Sequence, residues 1–166
     1  EGSARRCGVS TVARIEPTTP ELHFDTQFDA QTGRPVAVVE GIVRVTAPNA
    51  SPFTFTGTNS FLVGHHQLAL IDPGPIDPAH EAALLRAIGG RLVTAIMLTH
   101  THRDHSASAK MLAQNLGAPL WFGGRHRLSR PLRRFEINPI LKSCDWDLAP
   151  DRTLVDGEII PAGDMT

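Results

Sequence analysis

Leu92-Val93-Thr94-Ala95-Ile96-Met97-Leu98 runs directly into Thr99-His100-Thr101-His102-Arg103-Asp104-His105-Ser106. The first seven residues are an almost unbroken apolar run of strand length, the pattern of a strand buried on both faces. The next eight hold three of the chain's eight histidines and an aspartate. Side chains two apart in an extended backbone point the same way, so His100 and His102 can share one ion. Asp104 and His105 lie past the bend, where the next helix begins, and can reach a second. Imidazole and carboxylate suit zinc, and in other settings iron or manganese. The competing reading is a surface loop whose histidines only hydrogen-bond locally. So dense a pattern in so short a run argues against that.

Upstream, Asp77 is a good N-cap and Pro78 fits the first helical position. Leu84, Leu85 and Ile88 fall on one helical face, and Gly89-Gly90 ends the helix. Ser60–Val63 and Gln67–Ile71 flank Gly64-His65-His66 as the arms of a hairpin. Val36–Val45 is rich in β-branched residues, and Phe53-Thr54-Phe55-Thr56 alternates as a half-buried strand does. Downstream, Ser106–Leu116 predicts a helix using Met111, Leu112 and Leu116, stopped by Gly117. Ala118–Phe122 predicts the next strand. Strands alternating with helices give an α/β organisation.

Residues 1–35 are polar and carry Pro17, Pro20, Gly33 and Pro35, and read as an extended arm. Residues 123–150 form a long irregular stretch, a length uncommon unless functional or mobile. It carries Arg125, Arg127, Arg130, Arg133 and Arg134. Guanidinium forks match phosphate and carboxylate oxygens, so Arg125, Arg127 and Arg130 are candidate contacts for an anionic substrate. Few aromatics lie nearby to stack bases. Trp121, Phe122 and Phe135 read as core or pocket wall.

With 166 residues and 41% hydrophobic content the chain can close one core. The 16 Lys plus Arg balance 17 Asp plus Glu, so net charge argues for neither nucleic acid nor membrane. No apolar run is long enough to span a bilayer. Cys7 and Cys144 lie far apart and in no C-x-x-C pair, which fits a reducing cytoplasm better than a disulfide framework. The opening residues lack the apolar stretch of a signal peptide. His65 and His66 sit at a hairpin tip, while His23 and His80 have no ligand partner at suitable spacing. Cys144 has no histidine paired with it in sequence to activate it. All of these read as structural or incidental.

The run His100-Thr101-His102-Arg103-Asp104-His105 resembles the H-x-H-x-D-H signature of metallo-β-lactamase-fold hydrolases. Gly57-Thr58-Asn59-Ser60-Phe61-Leu62-Val63-Gly64 and Leu70-Ile71-Asp72-Pro73-Gly74-Pro75 are similar to the strand pair and Asp-containing turn beside that family's metal centre. The likeness runs from about Val36 onward and looks closest to the branch of single-strand endoribonucleases and glyoxalase II-type thioesterases. It implies an α/β fold in which residues 36–166 form the N-terminal half of a four-layer αββα sandwich. It implies two zinc ions, one on His100 and His102 and one on Asp104 and His105. Asp104 would also orient the attacking water, and Asp72 would hold the ligand loop from behind. The substrate would be a small-molecule ester, thioester or lactone, or an RNA phosphodiester. The family uses three further downstream ligands, and nothing after His105 matches their context; His126, within Arg125-His126-Arg127, does not. The expectation is therefore half of a longer hydrolase. A chain ending at Thr166 reads instead as a non-catalytic metal-binding or interaction domain.

Overall fold

The computed structural model describes residues 27–165. The part of the predicted arm before residue 27, with Cys7 and His23, lies outside the described residues. Residues 27–34 contain no helix or strand and lead into the first strand.

Seven strands form one mixed sheet in sequence order. β1 (Pro35–Val39), β2 (Ile42–Thr46), β3 (Asn59–Val63) and β4 (Gln67–Ile71) pair antiparallel. β5 (Leu92–Met97), β6 (Leu120–Phe122) and β7 (Arg152–Thr153) extend the sheet in parallel. Parallel neighbours require a crossover. α1 (Pro78–Ile88) supplies it between β4 and β5, and α2 (Arg103–Ser106) with α3 (Ala109–Leu116) between β5 and β6. Among the described residues no helix is long and apolar enough to cross a membrane.

Local chemistry explains most boundaries. The Asp77 carboxylate accepts from the His80 amide at 2.8 Å, Pro78 occupies the first turn, and Gly89 closes α1 in the left-handed region at φ 61°. The buried face of α1 is His80, Ala83, Leu84 and Ile88; Leu85, expected on it, is exposed. The predicted helix after the histidine run divides in two: α2 starts at Arg103 and α3 at Ala109. Leu112 is fully buried, Met111 and Leu116 are half-buried, and Gly117 ends α3 as expected.

Two expected strands change. Val36–Val45 folds back on itself at Glu40-Gly41, giving β1 and β2. Phe53-Thr54-Phe55-Thr56 is a tight turn. The Ser51 hydroxyl accepts from the Phe53 and Thr54 amides, both at 3.2 Å, and the Thr54 hydroxyl donates to the Asn49 carbonyl. Its alternation sends Phe53 and Phe55 outward, 92% and 53% exposed, instead of into a core. Gly57 closes the loop at φ 128°, where any Cβ would collide with the Ala47 carbonyl.

The core lies between the sheet and the helices, and includes Val45, Leu62, Leu68, Leu70, Leu84, Ile96, Leu112 and Phe122. Each such buried leucine contributes roughly 1.5–3 kcal/mol of burial free energy. β5 supplies both faces. Its pairing to β4 shifts between Leu68 and Ala69, which leaves Thr94 as an extra residue, its hydroxyl on the Leu68 carbonyl at 3.2 Å. The phase then changes, so Val93 and Ile96 both join the helix-side core while Ala95 and Met97 take the opposite face with Ala69. Phe135, expected in core or pocket wall, is 87% exposed.

Residues 159–162 lie over that opposite face through Ile160 and Ala162. Asp164 fastens the segment: its carboxylate accepts from the amides of His65 at 2.7 Å and His66 at 2.9 Å. These bonds pull its pKa down to about 2. A depressed carboxylate stabilises the fold above its unfolded value and loses that contribution as pH falls through the folded one. Wild type and Asp164→Ala are thus expected to differ in urea midpoint at pH 5, with the gap closing between pH 4 and pH 2. A gap unchanged across that range would refute the clamp.

Candidate metal centre

The histidine run leaves the end of β5 and enters α2, beside the turn that ends β4. Asp72 occupies that turn, buried, with its backbone in the left-handed region at φ 49°. Its amide donates to the Met97 carbonyl at 2.9 Å, tying the ends of β4 and β5 together. Its carboxylate accepts from the Thr99 amide at 2.8 Å, the Thr99 hydroxyl at 2.6 Å and His105 Nδ1 at 3.0 Å.

These bonds decide two tautomers. Thr99 has one hydroxyl proton, given to Asp72, so toward His100 Nδ1, 3.0 Å away, it can only accept. His100 therefore carries its proton on Nδ1 and keeps a lone pair on Nε2. His105 donates Nδ1–H to Asp72, so in the neutral ring the lone pair is on Nε2. That nitrogen lies 3.4 Å from Asp104 Oδ2. Two lone-pair atoms at that separation are matched by a proton or a cation between them. The ring centroids of His102 and His105 lie 4.6 and 4.3 Å from that of His100. The structure thus brings His100, His102, Asp104, His105 and Asp72 into one cluster.

The electrostatics agree with crowding. Burial, then the neighbouring His105 and His102, lower the His100 pKa. Burial also acts to lower that of His105, but the hydrogen bond and charge of Asp72, with the charge of Asp104, outweigh it and raise the value. Burial works against ionised Asp72, and the bonds from His105 and Thr99 overcome it, so its pKa is lowered.

Donor chemistry fits a metal ion: two imidazole Nε2 lone pairs fixed by outer hydrogen bonds, a third imidazole and a carboxylate. Among the described residues, however, no group of three or more His, Cys, Asp or Glu side chains is placed to hold a metal ion. These groups offer one side of a centre.

The loop after β6 forms the wall on the His102 side. A cleft of about 310 Å³ lies between His100 and His102 and the stretch Phe122–Arg127. Arg125 and Arg127 line it; no carboxylate does. Arg130 does not line it, and its guanidinium is held by Glu136 at 2.7 and 2.8 Å. On the Asp104 side, Phe53, Phe55 and Phe61 wall a second recess of about 470 Å³.

Sequence reasoning missed several neighbours. His126 bonds Thr101 at 3.1 Å and packs edge-on against Trp146, its ring 6.3 Å from His102. Thr58 is tied by Asn49 at 2.8 and 3.0 Å and reaches toward Asp104 at 3.5 Å. His80, read as incidental, is 1% exposed and bonded to Ser60. Nothing local marks these, because each partner lies far away in sequence. Cys144 is buried with a free thiol whose pKa burial raises, so it is an inert buried residue. His65 and His66 are exposed, as expected.

The sequence profile of the Metallo-beta-lactamase superfamily matches residues 53–141. A metal-dependent hydrolase of Dinoroseobacter shibae is 40% identical over 74 residues, covering 40% of this chain and 30% of that protein. The metallo-beta-lactamase BJP-1 of Bradyrhizobium japonicum superposes with a TM-score of 0.57 at 18% identity, over 79% of this chain and 48% of its own. MIM-1 of Novosphingobium pentaromativorans gives 0.56 at 23% identity, over 79% and 48%. These two structures share the fold. The chain spans about half of their length and less of the hydrolase.

Proposed function

The chain belongs to the metallo-beta-lactamase superfamily, and from that premise we propose that it carries the metal-binding run of a metal-dependent hydrolase. Its substrate is an ester, thioester, lactone or RNA phosphodiester. The observation that carries the reading is the Asp72 hub, which, directly at His105 and through Thr99 at His100, commits Nδ1 of each ring to the protein and leaves Nε2 as the nitrogen for a metal. Zinc is the metal proposed, two ions per site, with His100 and His102 serving one and Asp104 and His105 the other. When bound, such ions lower the pKa of a water toward neutrality and polarise the oxygen under attack.

The chain's own residues have distinct tasks. Asp72 holds His105 in the Nδ1–H tautomer and raises its basicity. Asp104, half-buried beside Thr58, would accept a hydrogen bond from the attacking water and so orient it. Arg125 and Arg127 line a cleft free of carboxylates and favour a substrate with an anionic group. Phe53 and Phe55, exposed beside Asp104, favour an apolar portion on the other side and help to exclude water. The relative's description as a metal-dependent hydrolase supports the same reading. The free, buried Cys144 supports a reducing compartment.

Hydrolysis of S-lactoylglutathione against cleavage of a fluorescent single-stranded RNA, each with and without chelator, tests the proposal. Chelator-sensitive turnover of either supports it and names the bond. Metal uptake with no hydrolysis across an ester, lactone, thioester and RNA panel would leave a metal-binding or interaction domain. On the hydrolysed substrate, Arg125→Gln with Arg127→Gln is expected to raise KM about tenfold, with kcat within about twofold. An unchanged KM would remove the anionic-group assignment.

A further inference from the structure

We propose that Ser60 and His80 are positioning residues for the metal-binding cluster: the His80 ring orients the Ser60 hydroxyl, which holds the Asp72 carbonyl and so the carboxylate that presents His105. The inference rests on His105 being a ligand. Asp72 adopts φ 49°, a left-handed conformation uncommon outside glycine that its neighbours hold in place. The carbonyl of that residue receives the Ser60 hydroxyl at 2.6 Å, inside the buried end of β3. Ser60 has no second proton. Its contact with His80 Nε2 at 3.0 Å must therefore be one in which Ser60 accepts and the imidazole donates. His80 is the Nε2–H tautomer.

The imidazole is built into the turn. His80 is 1% exposed, and its own amide is bonded to the Asp77 carboxylate at 2.8 Å. Gly74 wraps it so closely that a Cβ there would lie 2.8 Å from His80 Nε2. The Gly74 amide donates to the His105 carbonyl at 3.0 Å, and the Ser108 amide and hydroxyl return to the Gly74 carbonyl at 3.2 and 3.0 Å. The turn Asp72-Pro73-Gly74 is thus pinned to His80 and Ser60 on one side and to the helix of His105 on the other. Burial lowers the His80 pKa against the opposing charge of Asp77 and the Pro73 carbonyl, which favours the neutral ring, and Nδ1 is buried without a hydrogen-bond partner, as suits the nitrogen that carries no proton. Histidine on the first turn of α1 reads as incidental in sequence because its partner Ser60 is twenty residues away.

The test uses the full-length protein, ¹⁵N-labelled, with His80→Leu, His80→Gln and Ser60→Ala. Gln keeps an N–H donor near the place of Nε2; Leu keeps bulk alone. Ring spectra are expected to show wild-type His80 protonated on Nε2. In metal-free samples His80→Leu and Ser60→Ala should shift the His105 Nδ1–H resonance, and His80→Gln should bring it back. With cobalt(II) as the probe, Leu and Ala variants should bind about tenfold more weakly with altered visible absorption, and Gln within about threefold of wild type. A lost fold would alter the amide spectrum throughout; Ser60→Ala, the smaller change, then decides. Folded variants with wild-type His105 resonances and cobalt(II) affinity would overturn the inference. Failure of wild type itself to take up cobalt(II) would overturn the hydrolase reading, while the ring resonances still decide the positioning role.

Discussion

His102→Ala in the full-length protein is expected to abolish hydrolysis, a loss of about 10³-fold or more, while leaving the fold in place. The size follows from the chemistry: a catalytic ion supplies several kcal/mol of transition-state stabilisation, and each 1.36 kcal/mol is tenfold in rate. The sparing of stability follows from the structure. Among the described residues the His102 ring makes only ring contacts, to His100 at 4.6 Å and His126 at 6.3 Å. Its backbone, bridged to Cys144, does the structural work and survives the substitution. Thermal unfolding and turnover measured on one preparation separate the two. Turnover near the wild-type rate would remove His102 from the machinery.

Asp72→Asn should damage both properties. Its carboxylate serves three donors, and an amide offers one oxygen and places an N–H against another N–H or hydroxyl. The expected result is a loss of metal affinity of about 10–100-fold, the usual cost of removing the group behind a metal-ligating histidine. Stability should fall as well, with a pH signature. Asp72 has a lowered pKa, so its contribution is present above the ordinary value of 3.8 and fades as pH drops through the folded value. Metal-free His105 has a raised pKa, so its contribution is full below 6.5 and disappears as pH rises through the folded value. The pair therefore stabilises the metal-free wild type most in the window between, and Asp72→Asn should erase that maximum. A metal must displace the His105 proton, so affinity should fall as pH drops through the same raised value. A variant with wild-type affinity and a flat difference in stability across pH 4 to 8 would contradict the role of Asp72 as hub.

Local chemistry made much of this protein legible. The Asp77-Pro78 start and Gly89 end of α1, the hairpin around Gly64-His65-His66, the buried run of β5 and the Gly117 stop of α3 each depend on neighbours in sequence. The clustering of His100, His102, Asp104 and His105 was legible for the same reason, since one strand end and one bend bring them together. Phe53-Thr54-Phe55-Thr56 misled because alternation measures side-chain direction, and a turn held by Ser51 and Asn49 alternates too. The single run Val36–Val45 hid a reversal at Glu40-Gly41, and the helix after His105 hid a break before Ala109. What lay beyond reach was the outer layer of the site. Thr58 meets Asp104 across 46 residues and Ser60 meets His80 across 20, and no local signal announces such pairs. The arginine stretch needed coordinates too, to separate Arg125 and Arg127 in the cleft from Arg130, held by Glu136.

Metal stoichiometry, taken together with turnover, bears most directly on the claim that this cluster is a hydrolytic metal centre. Full-length wild type, His102→Ala and the Asp104→Ala, His105→Ala pair would be purified alike, and bound metal counted by mass spectrometry. Two ions per wild-type chain are expected, with a deficit in each variant, and hydrolysis that chelator removes and added zinc restores. Wild type without bound metal, or hydrolysis indifferent to chelator, would contradict it.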